Sequence, residues 1–312
     1  MVLNFKRALF ATAMTATIAF AQVGATLHGL KGDQEKAFNA MLDGLEGIGF
    51  VVSDPHERIN DGYKTKYGTD TLDNLGFFST TNDAAVRELL EKHPQLGGFS
   101  PFNMHIFKYA KEDVTWFGHL DPNTMADIVG LDDKALRSQF VKSFEPLDAY
   151  VKETLKPTME KKIEFTKLPS DKLIEFTVAI EDGVELSDFI DEFQSKYEEA
   201  FEAAQYIIAG YKNFKEAYND MELPFNYDAY WVYSLCHFEF SNGIFKDRAD
   251  AGIFAPCSIY MYVKPGEKVL HIGMPKLENW IAVNGIKDAK KIKAIRDLDA
   301  EVIQVFKSIG AK

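Results

Sequence analysis

Cysteine is scarce: Cys236 and Cys257 are the only two in 312 residues, too few for a disulfide framework or a four-thiolate zinc site. Neither lies in Cys-x-x-Cys or Cys-x-x-Cys-His, and the seven histidines contain no His-Glu-x-x-His. A Gly-x-x-x-x-Gly-Lys loop and a Gly-x-Ser-x-Gly elbow are also missing, so motif-borne haem attachment, nucleotide hydrolysis and serine-hydrolase chemistry have no support. No cofactor is expected, and an enzyme is the less favoured reading. Positive charge is short too. With 35 basic against 47 acidic side chains the chain carries −12, which argues against nucleic acid as a partner, because phosphate backbones call for a basic footprint. Beyond the N-terminus no run approaches the ~20 apolar residues of a membrane span. What is abundant is core-forming material: 46% hydrophobic residues, 25 of them Phe, which excludes disorder.

The first residues have the composition of a secretory signal. Lys6 and Arg7 form a basic start without an acid, Ala8–Phe20 is apolar, and Ala19-Phe20-Ala21 fits a small-x-small cleavage pattern. Residues 1–21 are therefore read as a signal peptide cleaved before Gln22, leaving 291 residues with a charge of −14 and no stable membrane span. The expected location is the periplasm, where a disulfide is chemically permitted.

Sliding the chain along itself reveals a repeat. At an offset of 155, Gly97, Phe99, Pro101, Glu112, Val114, Gly118, Gly130, Asp133 and Lys152 meet Gly252, Phe254, Pro256, Glu267, Val269, Gly273, Gly285, Asp288 and Lys307. Nine identities exceed the roughly three or four that background composition supplies over such a window. Phe107 with Tyr262, Leu131 with Ile286, Phe140 with Ile295 and Leu147 with Val302 keep the same register. Upstream, Glu35–Phe38 resembles Glu198–Phe201 and Gly47 resembles Gly210, at an offset of 163. Two similar domains are expected, residues 25–156 and 172–312, with a Pro- and Lys-containing linker over 157–171.

Each half reads as α+β, a small antiparallel sheet with helices packed on one face. Helices are expected over Asp33–Leu45, Ala84–Lys92, Asp133–Leu155, Leu186–Tyr218 and Asp288–Ser308, and strands over Phe50–Val52, Leu75–Thr80 and Trp231–Phe240. Asp132 and Asp133 are expected to open a helix rather than to bind metal. Lys264-Pro265-Gly266-Glu267 has the chemistry of a type II turn. A four-residue loop there pairs Tyr262 with Val269, Tyr260 with His271 and Cys257 with Met274, and by the repeat His105 with Trp116. Alternation then sets Cys257, Ile259, Met261, Leu270 and Ile272 toward the core, and Tyr260, Tyr262 and His271 on the other face.

These hairpins resemble a known family. Ala255-Pro256-Cys257-Ser258-Ile259-Tyr260-Met261-Tyr262 and Ser100-Pro101-Phe102-Asn103-Met104-His105-Ile106-Phe107 are similar to the Pro-Cys or Pro-Leu strand of domain-of-unknown-function family 302. Asp121-Pro122-Asn123-Thr124-Met125 matches that family's Asp-Pro-x-x-Met element, and Leu75-Gly76-Phe77-Phe78 stands at its middle aromatic strand. The second half has Met274-Pro275 in place of Asp-Pro, and the first has Phe102 in place of Cys. The resemblance implies a TATA-binding-protein-like α+β domain in tandem, and no particular reaction.

Three functional classes follow. The first is a ligand-binding module whose two sheet faces enclose a small molecule, with Phe107, Trp116, Tyr260 and Tyr262 as apolar walls and His105 and His271 as polar points. The second is a redox or copper-binding protein using Cys257, His271 and Met274, since soft sulfur ligands suit Cu(I). The third is a structural or partner-binding protein of the cell envelope. The first is preferred. Cys236 and Cys257 are expected to be two separate buried thiols, because Cys236 lies mid-strand and Cys257 begins the next strand.

Overall fold

The computed structural model describes residues 21–312, so the signal sequence expected over residues 1–21 lies, all but its last residue, outside the described residues. The first half runs β1 (Gln22–Lys31), α1 (Glu35–Leu42), β2 (Val51–His56), α2 (Ile59–Tyr67), β3 (Leu72–Thr81), α3 (Asp83–Lys92), β4 (Phe102–Tyr109) and β5 (Val114–Gly118). It continues through α4 (Pro122–Ile128), α5 (Lys134–Lys142), α6 (Glu145–Leu155) and β6 (Met159–Phe165). The second half runs β7 (Leu173–Ala179), α7 (Leu186–Ala203), β8 (Tyr206–Asn213), α8 (Phe214–Asp220), β9 (Ala229–His237) and α9 (Phe238–Phe245). It ends with β10 (Cys257–Val263), β11 (Val269–Pro275), α10 (Glu278–Val283) and α11 (Ala289–Ser308).

The two antiparallel sheets have the same strand order. One is β2-β3-β4-β5-β1-β6 and the other β8-β9-β10-β11-β7, so each strand of the second has its counterpart in the first, and among the described residues β6 alone is extra. The architecture is α+β with two repeated sheet-and-helix units. The repeat is kept in detail. Residues 94–99 and 249–254, offset by 155, are both 3-10 turns, and the Ser100–Pro101 and Ala255–Pro256 peptides that follow are both cis. Asp133 and Asp288 each cap the next helix, Asp133 accepting from Ala135 and Leu136 N–H at 2.8 and 2.9 Å and Asp288 from Lys291 N–H at 2.9 Å. Gly130 and Gly285 both adopt the left-handed backbone (φ 71° and 58°), where a Cβ would be strained. Phe107, Tyr262, Leu131, Ile286, Phe140, Ile295, Leu147 and Val302 are all buried in a single apolar core that spans both halves.

Five local expectations need correction. The stretch 157–171 is not a plain linker, because Met159–Phe165 pairs along β1 as β6. Leu186–Tyr218 is not one helix: α7 stops at Ala203, and the aromatic and β-branched Tyr206-Ile207-Ile208 enters β8, which pairs with β9. Gly210 therefore lies in a strand and Gly47 in a 3-10 turn, so the two are not equivalent. Residues 238–240 belong to α9 rather than to the preceding strand. The fourth concerns the hairpin. The Lys264–Glu267 turn forms, with Glu267 N–H donating to Lys264 C=O (3.0 Å) and Gly266 at φ 71°, but pairing resumes only at Val263–Leu270. A type II turn carries the wrong twist for a tight hairpin and splays its strands, shifting the register by two residues. Tyr262 thus faces His271, and Phe107 faces Trp116, in place of the expected Tyr260–His271 and His105–Trp116 pairs. A shift of two preserves which side chains share a face. Finally, the helix expected over Asp133–Leu155 is broken into α5 and α6. Pro146, in the first turn of α6, has no N–H to continue the ladder, whereas its counterpart Glu301 lets α11 run unbroken for 20 residues.

Candidate functional site

Of the six residues expected to line a ligand site, His105 and Tyr260 lie at the seam between the halves. Each 3-10 turn lies on the other half's central hairpin strand: residues 94–99 pack on β10, and residues 249–254 pack on β4. His105 and its counterpart Tyr260 sit at the two contact points, fully buried. A Cβ on Gly252 would lie 2.3 Å from His105 Cε1, and one on Gly97 would lie 2.6 Å from Tyr260 Cβ, so glycine is what admits both contacts. Asn103 Nδ2 donates to Gly252 C=O at 2.8 Å and Tyr230 Oη to Pro94 C=O at 2.6 Å. His105 places Nε2 2.7 Å from Ala249 C=O and Nδ1 3.2 Å from Gly76 C=O. Burial drives its pKa down to about 4 against the opposing pull of those carbonyls, so the ring is neutral at pH 7. Phe107 stacks on His105 (5.2 Å) and is buried, as is Tyr262. Trp116 is half-buried against Gly29. His271, a quarter exposed, stacks on Tyr262 at 4.8 Å and bonds Glu267 at 3.0 Å. The faces that sequence alternation marks as aromatic are thus filled by the other half's turns.

The sulfur-based alternative is divided. Cys257 and Met274 border one small apolar cavity with Cys236, but His271 lies on the opposite face of β11 with Tyr262. Both thiols are free, and burial raises their pKa, that of Cys236 to about 11, which suppresses thiolate chemistry at neutral pH. Among the described residues no cluster of three or more His, Cys, Asp or Glu could hold a metal ion.

A polar site lies elsewhere, in a cavity of about 280 Å³ under the helix-covered face of the first sheet. His119 follows β5 and is 10% exposed; its Nε2 is 2.9 Å from Asp148 Oδ1 on α6 and its Nδ1 2.7 Å from Leu120 C=O. Each ring nitrogen thus faces an acceptor, one of them a carboxylate. Burial opposes a positive charge on the ring, but the bond to Asp148, its negative charge and the Leu120 carbonyl outweigh burial, and the pKa of His119 is raised. Burial likewise disfavours ionised Asp148, and the bond to His119 more than offsets it, leaving its pKa lowered. His28 on β1 shares the cavity; burial, then the charge of Lys152, lowers its pKa, in the opposite direction to that of His119. Asp121 closes one end of the cavity and caps α4, accepting from Asn123 N–H at 2.9 Å. β6 supplies the remaining wall: Glu160 lies opposite His28 and Lys162 opposite Thr26.

The second half shows what the fold itself requires at these places. Met274 stands where the first half has His119, Ile303 where it has Asp148 and Phe306 where it has Val151, all at the 155-residue offset. Phe176 faces Ile272 on β11 as His28 faces Phe117 on β5. Met274, Phe176 and Phe306 are buried and apolar. The shared fold is therefore satisfied by an apolar core here, and the first half alone departs from it, with its polar side chains converging on one space. Sequence reading missed His28, His119 and Asp148. The signal available was the repeat itself, aligned for residues that differ in polarity rather than for identities.

No family model matches the chain, and no curated protein matches it. Among solved structures the chain is similar to an uncharacterized conserved protein of domain-of-unknown-function family 302 from Bacillus stearothermophilus. The two share 17% identity with a TM-score of 0.36, over 43% of this chain and 95% of that one.

Proposed function

We propose that this protein is an exported tandem-domain module that binds a small polar molecule in the cavity between β1, β5, β6 and α6. One observation carries the reading: among the described residues, the one strand without a counterpart and the polar replacements at core positions meet at the same cavity. Buried charge costs stability unless it is used or fully paired, so a fold that is satisfied by Met, Phe and Ile would not gain from His119, His28 and Asp148 on packing grounds. The cavity is smaller than the ~300–1,000 Å³ typical of sites for drug-sized ligands, which favours a compact solute.

Export is supported by the basic, apolar and small-residue order of residues 1–21, and by β1 starting at Gln22, the residue that cleavage would expose. No described helix is long and apolar enough to cross a membrane.

Ligand binding is tested by ¹⁵N-histidine NMR of the mature protein against a library of small polar solutes. Binding moves the signals of His28 and His119 and leaves His105 in place. Solutes that shift only His271, or that leave all the ring signals unmoved, would refute the cavity assignment. N-terminal sequencing of the secreted protein tests export, with Gln22 as the expected first residue.

A further inference from the structure

The charges around the cavity are arranged in opposed pairs. On the sheet side Glu160 and Lys162, two apart on β6, point to the same face and approach to 4.0 Å. On the helix side Asp148 and Lys152, four apart on α6, lie one above the other on the face turned to the cavity. Each wall thus offers one acid and one base. Between them stand His119, both of whose ring nitrogens are already engaged, and His28, whose ring nitrogens can meet a ligand. Asp121 adds an acid at the α4 end. A purely anionic ligand meets carboxylates on both walls, and a purely cationic one meets lysines on both. The arrangement complements a molecule that presents both signs.

Resting on the binding reading above, we infer that the ligand is a small zwitterion of amino-acid size, with its anionic group turned to Lys152 and Lys162 and its cationic group to Glu160 and the free oxygen of Asp148. Charge-assisted hydrogen bonds in a partly enclosed site are what such a molecule gains over either half of itself. The cavity volume of about 280 Å³ leaves room for a short side chain as well.

The test uses four probes on the full mature protein, read by the ring signals of His28 and His119: L-alanine (zwitterion), acetate (anion), methylammonium (cation) and erythritol (neutral polyol). L-Alanine is expected to bind at least about tenfold more tightly than any of the other three. Lys162→Met and Glu160→Gln should each weaken it by about tenfold while leaving the melting temperature unchanged, since both side chains are more than half exposed. Should acetate, methylammonium or erythritol match L-alanine, the zwitterion assignment is wrong and the cavity reading stands. If no probe moves either histidine, the cavity reading falls with it. If binding persists undiminished in both variants, β6 does not contribute the charges and the inference is overturned.

Discussion

The two halves of this molecule solve one folding problem twice, and the solutions differ where β6 lies. In the second half the edge strand β7 meets the C-terminal residue, Lys312 exchanging two 3.0 Å backbone hydrogen bonds with Thr177, and the places that match the first half's cavity hold the buried apolar Phe176, Met274 and Phe306. In the first half the corresponding edge, β1, carries β6 along it, and the space below is polar. A fold repeated within one chain thus provides its own control. What the halves share is what folding needs; what only one of them has calls for another explanation. The shared part includes the reciprocal seam, in which a glycine-bearing turn from each half rests on the other's hairpin.

The largest expected effect separates the buried histidine of the seam from that of the cavity. His105 has a folded-state pKa of about 4, below the ordinary value of 6.5, so its neutral form is favoured by folding. That contribution is fully present above pH 6.5 and lost as pH falls toward 4, about 3 kcal/mol at 1.36 kcal/mol per unit. His119 runs the opposite way: its raised pKa stabilises the fold below pH 6.5, and that contribution fades as pH rises through its folded value. Denaturant unfolding at pH 7 and pH 4 should therefore show a smaller acid-side loss in His105→Tyr, which copies the second half, than in the unsubstituted protein. A ring titration of His105 near pH 6.5 would contradict this.

Next come the seam glycines. Gly97→Ala and Gly252→Ala should each cost about 1–3 kcal/mol, since the added methyl meets a Cβ or a fixed ring rather than the end of a flexible chain. Gly243→Ala in α9, with nothing within 4 Å, should instead be neutral or stabilising by up to about 1 kcal/mol. Equal melting temperatures for all three would show that the seam yields easily. A smaller effect is expected from copying the second half into the first: His119→Met with Asp148→Ile should leave stability unchanged or raise it by about 1 kcal/mol, because the pair is partly solvated, while abolishing binding in the cavity. Marked destabilisation would make the pair a folding element and remove its functional significance. The smallest effect is none at all. Reductant should not change the melting temperature, and alkylation under denaturing, non-reducing conditions should label both cysteines. Both thiols border the same small cavity and both are free, with no bond joining them.

How much of this is legible in the sequence follows from what kind of information each feature needs. The repeat is plain because the 3-10 turns, hairpins and helix caps tolerate no insertion, so the offset of 155 runs unbroken from Gly97 to the final helix. The aromatic alternation of β4 and β10 is equally plain, and a register shift of two leaves its side chains grouped on the same faces. Which object covers the seam face is not: nothing local to His105 or Tyr260 says that a turn about 150 residues away will lie on them. The hairpin register fails by two residues because Pro-Gly fixes a turn type whose twist does not fit a tight hairpin. β8 is misread because Tyr206–Asn213 continues an amphipathic helix without a proline, and its strand character comes from pairing with β9. The cavity is least legible, since β1, β5, α6 and β6 contribute to it from positions spread between residues 26 and 162.

The segment that joins the halves has a consequence for how the site comes to exist. A single half ending at Leu155 would keep its five strands, caps and core, yet would lack Glu160, Lys162 and the wall that carries them. The cavity is thus a property of the junction: the piece of backbone that tethers one unit to the other is also the piece that completes the site. Cutting the chain within residues 166–172, after β6, should leave the site standing, whereas cutting within residues 156–158, before it, releases a wall. The tether and the cavity wall are here one strand of seven residues.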